Sequence, residues 1–171
     1  MLQKRVAKEL LKYNSNTPVV RLFPTSKKPL IPSEDQAIIL EAIRWAEKKT
    51  SGEVRVYIES HCAFVNPVDR AIDIFGGLKM YETKDRNAVL VYIALKDRQL
   101  AIYGDEGIHQ RVGQAFWERE IAKMISEFNA DRFGEGVAAV VRDIGDALHS
   151  HFPYDKDEDK NELPDDIVFG H

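Results

Sequence analysis

The chain has 171 residues, of which 44% are apolar and 30% charged, and these values fit one ordinary folded domain with short extensions. Its formal net charge of -4 is small and of the wrong sign for a nucleic-acid-binding protein. The single cysteine, Cys62, cannot form an intramolecular disulfide, so nothing indicates an oxidising compartment.

The N-terminal part of the chain is basic. Residues 1–32 are predicted to form a short helix, an extended stretch TPVVRLFP at 17–24, and a linker rich in proline and lysine. Basic residues interrupt the place where a secretory signal would carry its apolar segment. The most apolar stretch, residues 88–95, is much shorter than a membrane span. We therefore expect a cytoplasmic protein without a transmembrane segment.

The middle of the chain alternates between helical and strand patterns. A helix is predicted from Ser33, which forms a capping box with Gln36, and alternating apolar residues at 53–59 predict a strand. Asn66 and Pro67 open the next helix. The run AVLVYIAL at 88–95 is typical of a central strand that is covered on both faces.

The chain then turns back on itself before it becomes helical. Residues 99–104 are predicted to be the hairpin partner of the central strand, and two helices follow, up to about residue 129 and from about 133 to 152. Because a strand–helix–strand passage makes a parallel crossover, the sheet should be small and mixed. We predict an α/β sandwich of three-layer type, with helices flanking the sheet, over residues 33–153.

Acidic and amide side chains stand at the ends of two predicted strands. Asp85 and Asn87 precede the central strand, and Asp105 and Glu106 follow the third strand. Since these strands form an antiparallel hairpin, the start of one lies beside the end of the other. Carboxylate and amide oxygens from two loops are ligands that suit Ca²⁺ or Mg²⁺. The alternative is that these residues only solvate a turn.

Three segments of the chain resemble the TPM domain family, which includes a plant thylakoid lumen protein of photosystem II repair. The resemblance covers about residues 33–152 and is carried by SGEVRV, KDRNAVLVYIA and LAIYGDEGI. The family has a lysine-aspartate-asparagine-glycine motif directly before the central strand. Lys84, Asp85 and Asn87 match the first three residues of this motif. Arg86 is inserted into this motif, and Ala88 replaces its glycine.

The second family motif is a loop with the order glycine, tyrosine, glycine, hydrophobic residue, glutamate, glycine. Tyr103, Gly104, Glu106 and Gly107 match this motif, and Asp105 stands at its hydrophobic position. The resemblance implies an α/β sandwich with a divalent-cation site, mainly for Ca²⁺, on loops at one end of the sheet. It also implies a weak acid phosphatase activity, which is ascribed to plant members. The chain is similar to the soluble cytoplasmic branch of the family, which ends in an acidic tail.

Three functions follow from these observations. The first is a module that binds a divalent cation, Ca²⁺ or Mg²⁺, through Asp105, Glu106, Asp85 and Asn87. The second is a metal-assisted acid phosphatase, in which a carboxylate or His109 orients water and an arginine (Arg55, Arg86 or Arg111) holds phosphate. No residue has the distinct character of a nucleophile or base, so whether the chain is an enzyme stays open.

The third function is an interaction module without catalysis. Its basic arm, residues 1–32, or its acidic tail, residues 154–171, would engage a protein partner or lipid headgroups. The tail is expected to be flexible because its composition is strongly acidic and poor in apolar residues.

Overall fold

The computed structural model describes residues 29–154 and 166–170. In chain order the elements are α1 (Ser33–Glu47), β1 (Val54–Glu59), α2 (Pro67–Gly77), a 3₁₀ turn (Met80–Glu82), β2 (Val89–Ala94), β3 (Gln99–Gly104), α3 (Glu106–Val112), α4 (Gln114–Asn129), α5 (Phe133–His151) and β4 (Ile167–Phe169). The predicted basic helix at the N-terminus lies outside the described residues.

The strands form one mixed sheet in the order β3-β2-β1-β4. β1 is parallel to β2 and to β4, whereas β3 is antiparallel to β2. The parallel crossover and the hairpin that the sequence predicts are therefore confirmed. Because Val89 pairs with Gly104, the loop before β2 and the loop after β3 meet at the same end of the sheet.

Each face of the sheet has its own apolar cluster, so the molecule has three layers. Alternate residues of β1 and β2 (Val54, Val56, Ile58, Val89, Val91, Ile93) pack against α1, α3, α4 and α5. The other face of β2 packs against α2 and the 3₁₀ turn. Every residue of β2 is buried, as expected for a central strand that is covered on both faces. The α/β sandwich is confirmed.

Two local predictions for the helices differ from the structure. The helix α1 begins at Ser33 itself, after Pro32, without a side-chain cap, and Gln36 Nε2 instead donates to the Ile31 carbonyl at 3.0 Å. The predicted capping box is therefore wrong. The helical pattern around residue 112 is divided between α3 and α4 at Gly113, whose φ of 75° favours glycine.

The C-terminal segment contains a strand where a flexible tail was expected. Residues 167–169 pair with β1, Ile167 is buried, and the Gly170 N–H donates to the Ile58 carbonyl at 2.9 Å. Three residues give too short a pattern to predict a strand, and the partner strand lies more than a hundred residues earlier in the chain. None of the helices in the described ranges is long and apolar enough to cross a bilayer.

Candidate functional site

The loop before β2 is a tight turn closed by Thr83. The Arg86 N–H donates to the Thr83 carbonyl at 3.2 Å, and the Asn87 N–H donates to Thr83 Oγ1 at 3.2 Å. Arg86 adopts a positive φ of 52°. This turn directs the Arg86 side chain toward the end of β3, where it meets Asp105.

Asp105 joins the two loops through its carboxylate. It is the N-cap of α3, and its Oδ1 accepts from the Glu106 N–H at 2.8 Å. Both oxygens also accept from Arg86, Oδ2 from Nε at 2.6 Å and Oδ1 from Nη2 at 2.8 Å. The Asp105 side chain is 2% exposed and that of Arg86 is 49% exposed. The hydrogen bonds to Asp105 raise the pKa of Arg86 above its ordinary value.

Gly107 allows the start of α3 to touch the loop before β2. Its N–H donates to the Arg86 carbonyl at 2.8 Å, and a Cβ on Gly107 would lie 2.1 Å from the Asp85 carbonyl oxygen. That oxygen belongs to the backbone, so a side chain could be accommodated only if one of the two loops moved. The convergence of the loops that carry Asp85 and Asp105 thus depends on this glycine.

We expect Gly107→Ala to lower the free energy of unfolding by about 2 kcal/mol, the usual cost of an overpacked contact. Gly76→Ala is the matched control, because a Cβ on Gly76 would meet no atom within 4 Å and alanine favours a helix. Urea denaturation followed by circular dichroism measures both variants. Equal stabilities for the two would contradict the close contact.

Asn87 lies beside the loop before β1, the strand that pairs with β2 on the side away from β3. Its Nδ2 donates to Ser51 Oγ at 3.3 Å, in the loop before β1. Its Oδ1 is buried and has no hydrogen-bond partner among the described residues. A buried, unpartnered carbonyl oxygen normally costs free energy, and a water or a cation would satisfy it.

The four predicted ligands therefore stand in different environments. Asp105 is buried and paired with Arg86, Asn87 is buried and turned toward Ser51, and Asp85 and Glu106 are exposed. Within residues 29–154 and 166–170, no three acidic, histidine or cysteine side chains lie close enough to hold a metal ion together. The donors suit a hard cation, but they do not form a ready cluster.

A groove of about 540 Å³ adjoins this site and follows β3. Its walls are the start of α2 and one side of α4, and Arg86, Asp105, Glu106 and His109 lie at one end. His109 Nδ1 is 3.0 Å from Trp117 Nε1 and accepts its hydrogen bond. Trp117 in turn covers Gly104, where a Cβ would lie 2.5 Å from the indole ring.

The opposite end of the sheet holds a second polar cluster. Glu59 pairs with Ala94 at the end of β1, far from the loops that carry Asp85 and Asp105. Its carboxylate accepts from Arg70 at 3.0 and 2.9 Å and from the Tyr92 hydroxyl at 2.6 Å. Burial opposes ionisation of Glu59, but these hydrogen bonds outweigh it and lower the pKa of Glu59 below its usual range.

The sequence interpretation missed the ion pair between Arg86 and Asp105, and it missed Trp117. An aspartate directly before a helical pattern is an N-cap signal, so the capping role of Asp105 could have been found. The ion pair had no such signal, because it depends on the positive φ of Arg86. The other two arginines proposed for phosphate binding are placed differently: Arg55 is buried, and Arg111 is exposed on α3.

Comparison with known proteins identifies the class of this fold. The family model of the TPM domain matches residues 26–147 of the sequence, and the chain belongs to the TPM domain family. The NMR structure of the BA42 protein from the psychrophilic bacterium Bizionia argentinensis is 38% identical, with a TM-score of 0.76, over 86% of this chain and 100% of that chain.

A more distant structure shares the fold alone. The N-terminal domain of the cg2496 protein from Corynebacterium glutamicum is 14% identical, with a TM-score of 0.51, over 91% of this chain and 99% of that chain. No curated protein matches the sequence.

Proposed function

We propose that this TPM domain binds a divalent cation, Ca²⁺ or Mg²⁺, where the loop before β2 meets the start of α3. The observation that carries the proposal is the carboxylate of Asp105, which is fixed by the α3 backbone and neutralised by a half-exposed arginine. A buried carboxylate requires a positive partner, and Arg86 can move into solvent more easily than Asp105 can leave its cap.

The surrounding donors support the same proposal. Asp85 and Glu106 are exposed on the two converging loops, and Asn87 contributes a buried oxygen that has no partner in the described part of the chain. Carboxylate, amide and backbone carbonyl oxygens are the ligands of hard divalent cations. A cation that uses Asp105 replaces Arg86, so the arginine acts as a competitor and keeps the affinity low.

The test is a titration of metal-stripped full-length protein with Ca²⁺ and with Mg²⁺, followed by amide NMR shifts and calorimetry. We expect saturable shifts at residues 83–88 and 103–109. Arg86→Gln should bind about tenfold more tightly, because the cation no longer has to displace the guanidinium from Asp105. Asp105→Asn should lose most of the affinity and still cap α3.

Arg111→Gln is the matched control, since Arg111 is exposed on the same helix and the substitution changes the net charge equally. If Arg86→Gln and Arg111→Gln tighten binding to the same extent, the effect is long-range charge and Asp105 is not a ligand. No saturable shift up to millimolar cation would contradict the proposal as a whole.

The finer assignments stay predictions. A weak metal-assisted acid phosphatase activity has little support, because His109 is bonded to Trp117, Arg86 is paired with Asp105 and Arg55 is buried. The cytoplasmic location and a protein partner for the arm or the tail are likewise proposals.

A further inference from the structure

The sheet ends at β3, and within the described part of the chain this strand pairs with β2 alone. The Asp105 N–H donates to the Ala88 carbonyl at 2.9 Å, which sets the alternation of hydrogen bonds along the hairpin. The N–H and C=O groups of Leu100, Ile102 and Gly104 therefore point away from β2. A strand that adds to this edge of the sheet would bond to these groups.

The sequence of β3 does not prevent such an addition. Its six residues, QLAIYG, include no lysine, no proline and no other charged side chain, which are the usual protections of an edge strand. At the opposite edge the sheet ends in β4, a strand of only three residues. Because a long apolar edge favours pairing with another extended segment, β3 is the edge at which such a segment would add.

The groove of about 540 Å³ beside this edge would hold the side chains of an added strand. Trp117 of α4 and Val68 of α2 stand on its two sides, and Asn66 lines it at the start of α2. The two residues directly before Asn66 are apolar and exposed, Phe64 by 40% and Val65 by 100%. Apolar side chains grouped at a surface groove are typical of an interaction site.

The charge of the groove indicates what kind of segment it accepts. Arg86 neutralises Asp105, and the other two acidic residues of the lining, Glu106 and Glu118, leave it with two formal negative charges. Each glutamate accepts a hydrogen bond from a neutral glutamine of its own helix, which does not cancel the charge. The groove therefore favours a positively charged occupant. The β3 strand of a second copy would not supply that charge, since QLAIYG contains no lysine or arginine.

We propose that the open edge of β3 binds an extended segment of a partner protein that is apolar and carries lysine or arginine. The backbone of the segment bonds to the outward groups of β3. Its apolar side chains pack against Trp117 and Val68, and its basic side chains are attracted to Glu106 and Glu118. The inference goes beyond the cation site, because it uses the strand edge and the apolar walls of the groove.

Amide NMR of the full-length protein with the synthetic peptide acetyl-Lys-Val-Ile-Val-Lys-amide tests the proposal. Without peptide, the amides of Leu100 and Ile102 should exchange with solvent faster than those of Ala101 and Tyr103, which bond to β2. The peptide should shift the Leu100 and Ile102 amides and the Trp117 indole N–H saturably. It should slow the exchange of those two amides about tenfold once nine-tenths of the sites are filled.

Modified peptides separate backbone pairing from apolar attraction. Alternate amides of a strand point to opposite sides, so only one alternate set of peptide amides can bond to β3. N-methylation of that set should abolish binding, and N-methylation of the other set should be tolerated. Equal loss or equal retention of binding for the two methylated peptides would overturn the proposal.

A second comparison tests the charge of the groove. The acidic peptide acetyl-Glu-Val-Ile-Val-Glu-amide should bind more weakly than the lysine peptide. Glu118→Lys should weaken binding of the lysine peptide about threefold. Glu34→Lys is the matched control, because Glu34 is exposed on α1 outside the groove, and it should leave the affinity unchanged. Equal affinities for the acidic and the lysine peptide would contradict the charge of the proposed partner.

The protein without peptide also gives results that would overturn the proposal. Slow exchange at Leu100 and Ile102 that disappears on dilution would mean that a second copy covers the edge. Slow exchange that is independent of protein concentration would mean that the chain itself covers it. No saturable shift up to several millimolar lysine peptide would contradict strand addition altogether.

Discussion

Glu59→Gln is expected to lower the free energy of unfolding by about 3–5 kcal/mol, the usual cost of removing one partner of a buried ion pair. The Glu59 side chain is 2% exposed, and its two oxygens accept three hydrogen bonds from Arg70 and Tyr92. The amide cannot accept all three. It leaves the Arg70 guanidinium, itself mostly buried, without a full counter-charge.

The contribution of Glu59 to the free energy of unfolding should decrease as the pH falls. Because the pKa of Glu59 is lower in the folded state than its ordinary value of 4.5, the ionised carboxylate stabilises the fold above that value. This contribution is lost as the pH falls through the lower, folded-state pKa. The stability difference between wild type and Glu59→Gln should therefore be full at pH 7 and shrink in acid.

Chemical denaturation at several pH values measures this difference. Asp73→Asn is the matched control, because Asp73 also bonds Arg70 but is exposed, and its loss should cost less than about 1 kcal/mol. A cost for Glu59→Gln no greater than that of Asp73→Asn would show that the buried pair contributes little to stability.

Glu120→Gln should have the opposite effect to Glu59→Gln and raise the free energy of unfolding by up to about 3 kcal/mol above neutral pH. Glu120 is buried on α4 and faces Asp143 on α5. Burial, followed by the hydrogen bond and the repulsion with Asp143, raises the pKa of Glu120 to about 7 from an ordinary value of 4.5. That difference corresponds to about 3 kcal/mol.

The direction of this pH dependence follows from proton binding by Glu120. The folded state keeps the proton of Glu120 up to about pH 7, whereas the unfolded state releases it at the ordinary value. Wild-type stability therefore falls between these two values as the pH rises, and the penalty is complete above them. Glutamine resembles the protonated acid and removes the penalty, so the two proteins should have similar stability at pH 4 and diverge by pH 8.

Glu118→Gln is the matched control for this series, since Glu118 is exposed on the same helix. Its stability should follow the wild type at every pH. A constant difference between Glu120→Gln and the wild type from pH 4 to pH 8 would exclude a raised pKa as the cause.

Local patterns were sufficient to predict most of the fold. The alternation at 53–59 and the apolar run at 88–95 predicted β1 and β2, and Asn66 capped α2 as expected by accepting from the Val68 N–H at 2.9 Å. These signals are readable because side-chain period and backbone capping depend on residues close together in the chain. The pairing of β2 with β3 followed in the same way from a short polar turn.

The candidate site could be predicted only in outline. Position along the chain was enough to expect that the loops carrying Asp85 and Asp105 meet, and the contact of Gly107 with the Asp85 carbonyl is consistent with this. The partners of each side chain were not predictable. Arg86 reaches Asp105 because of one positive φ angle, and Asn87 turns to Ser51 across the neighbouring strand.

The sequence by itself thus determined the family, the order of the helices and strands from α1 to β3 and the end of the sheet at which the candidate site lies, since each of these follows from local periodicity and motif. Only the tertiary structure decided that β4 joins β1, that Arg86 neutralises Asp105 and that β3 leaves an open edge in the described chain. Each of these depends on contacts between residues that are far apart in the chain or on a single backbone angle. Such contacts leave no repeating pattern in the sequence.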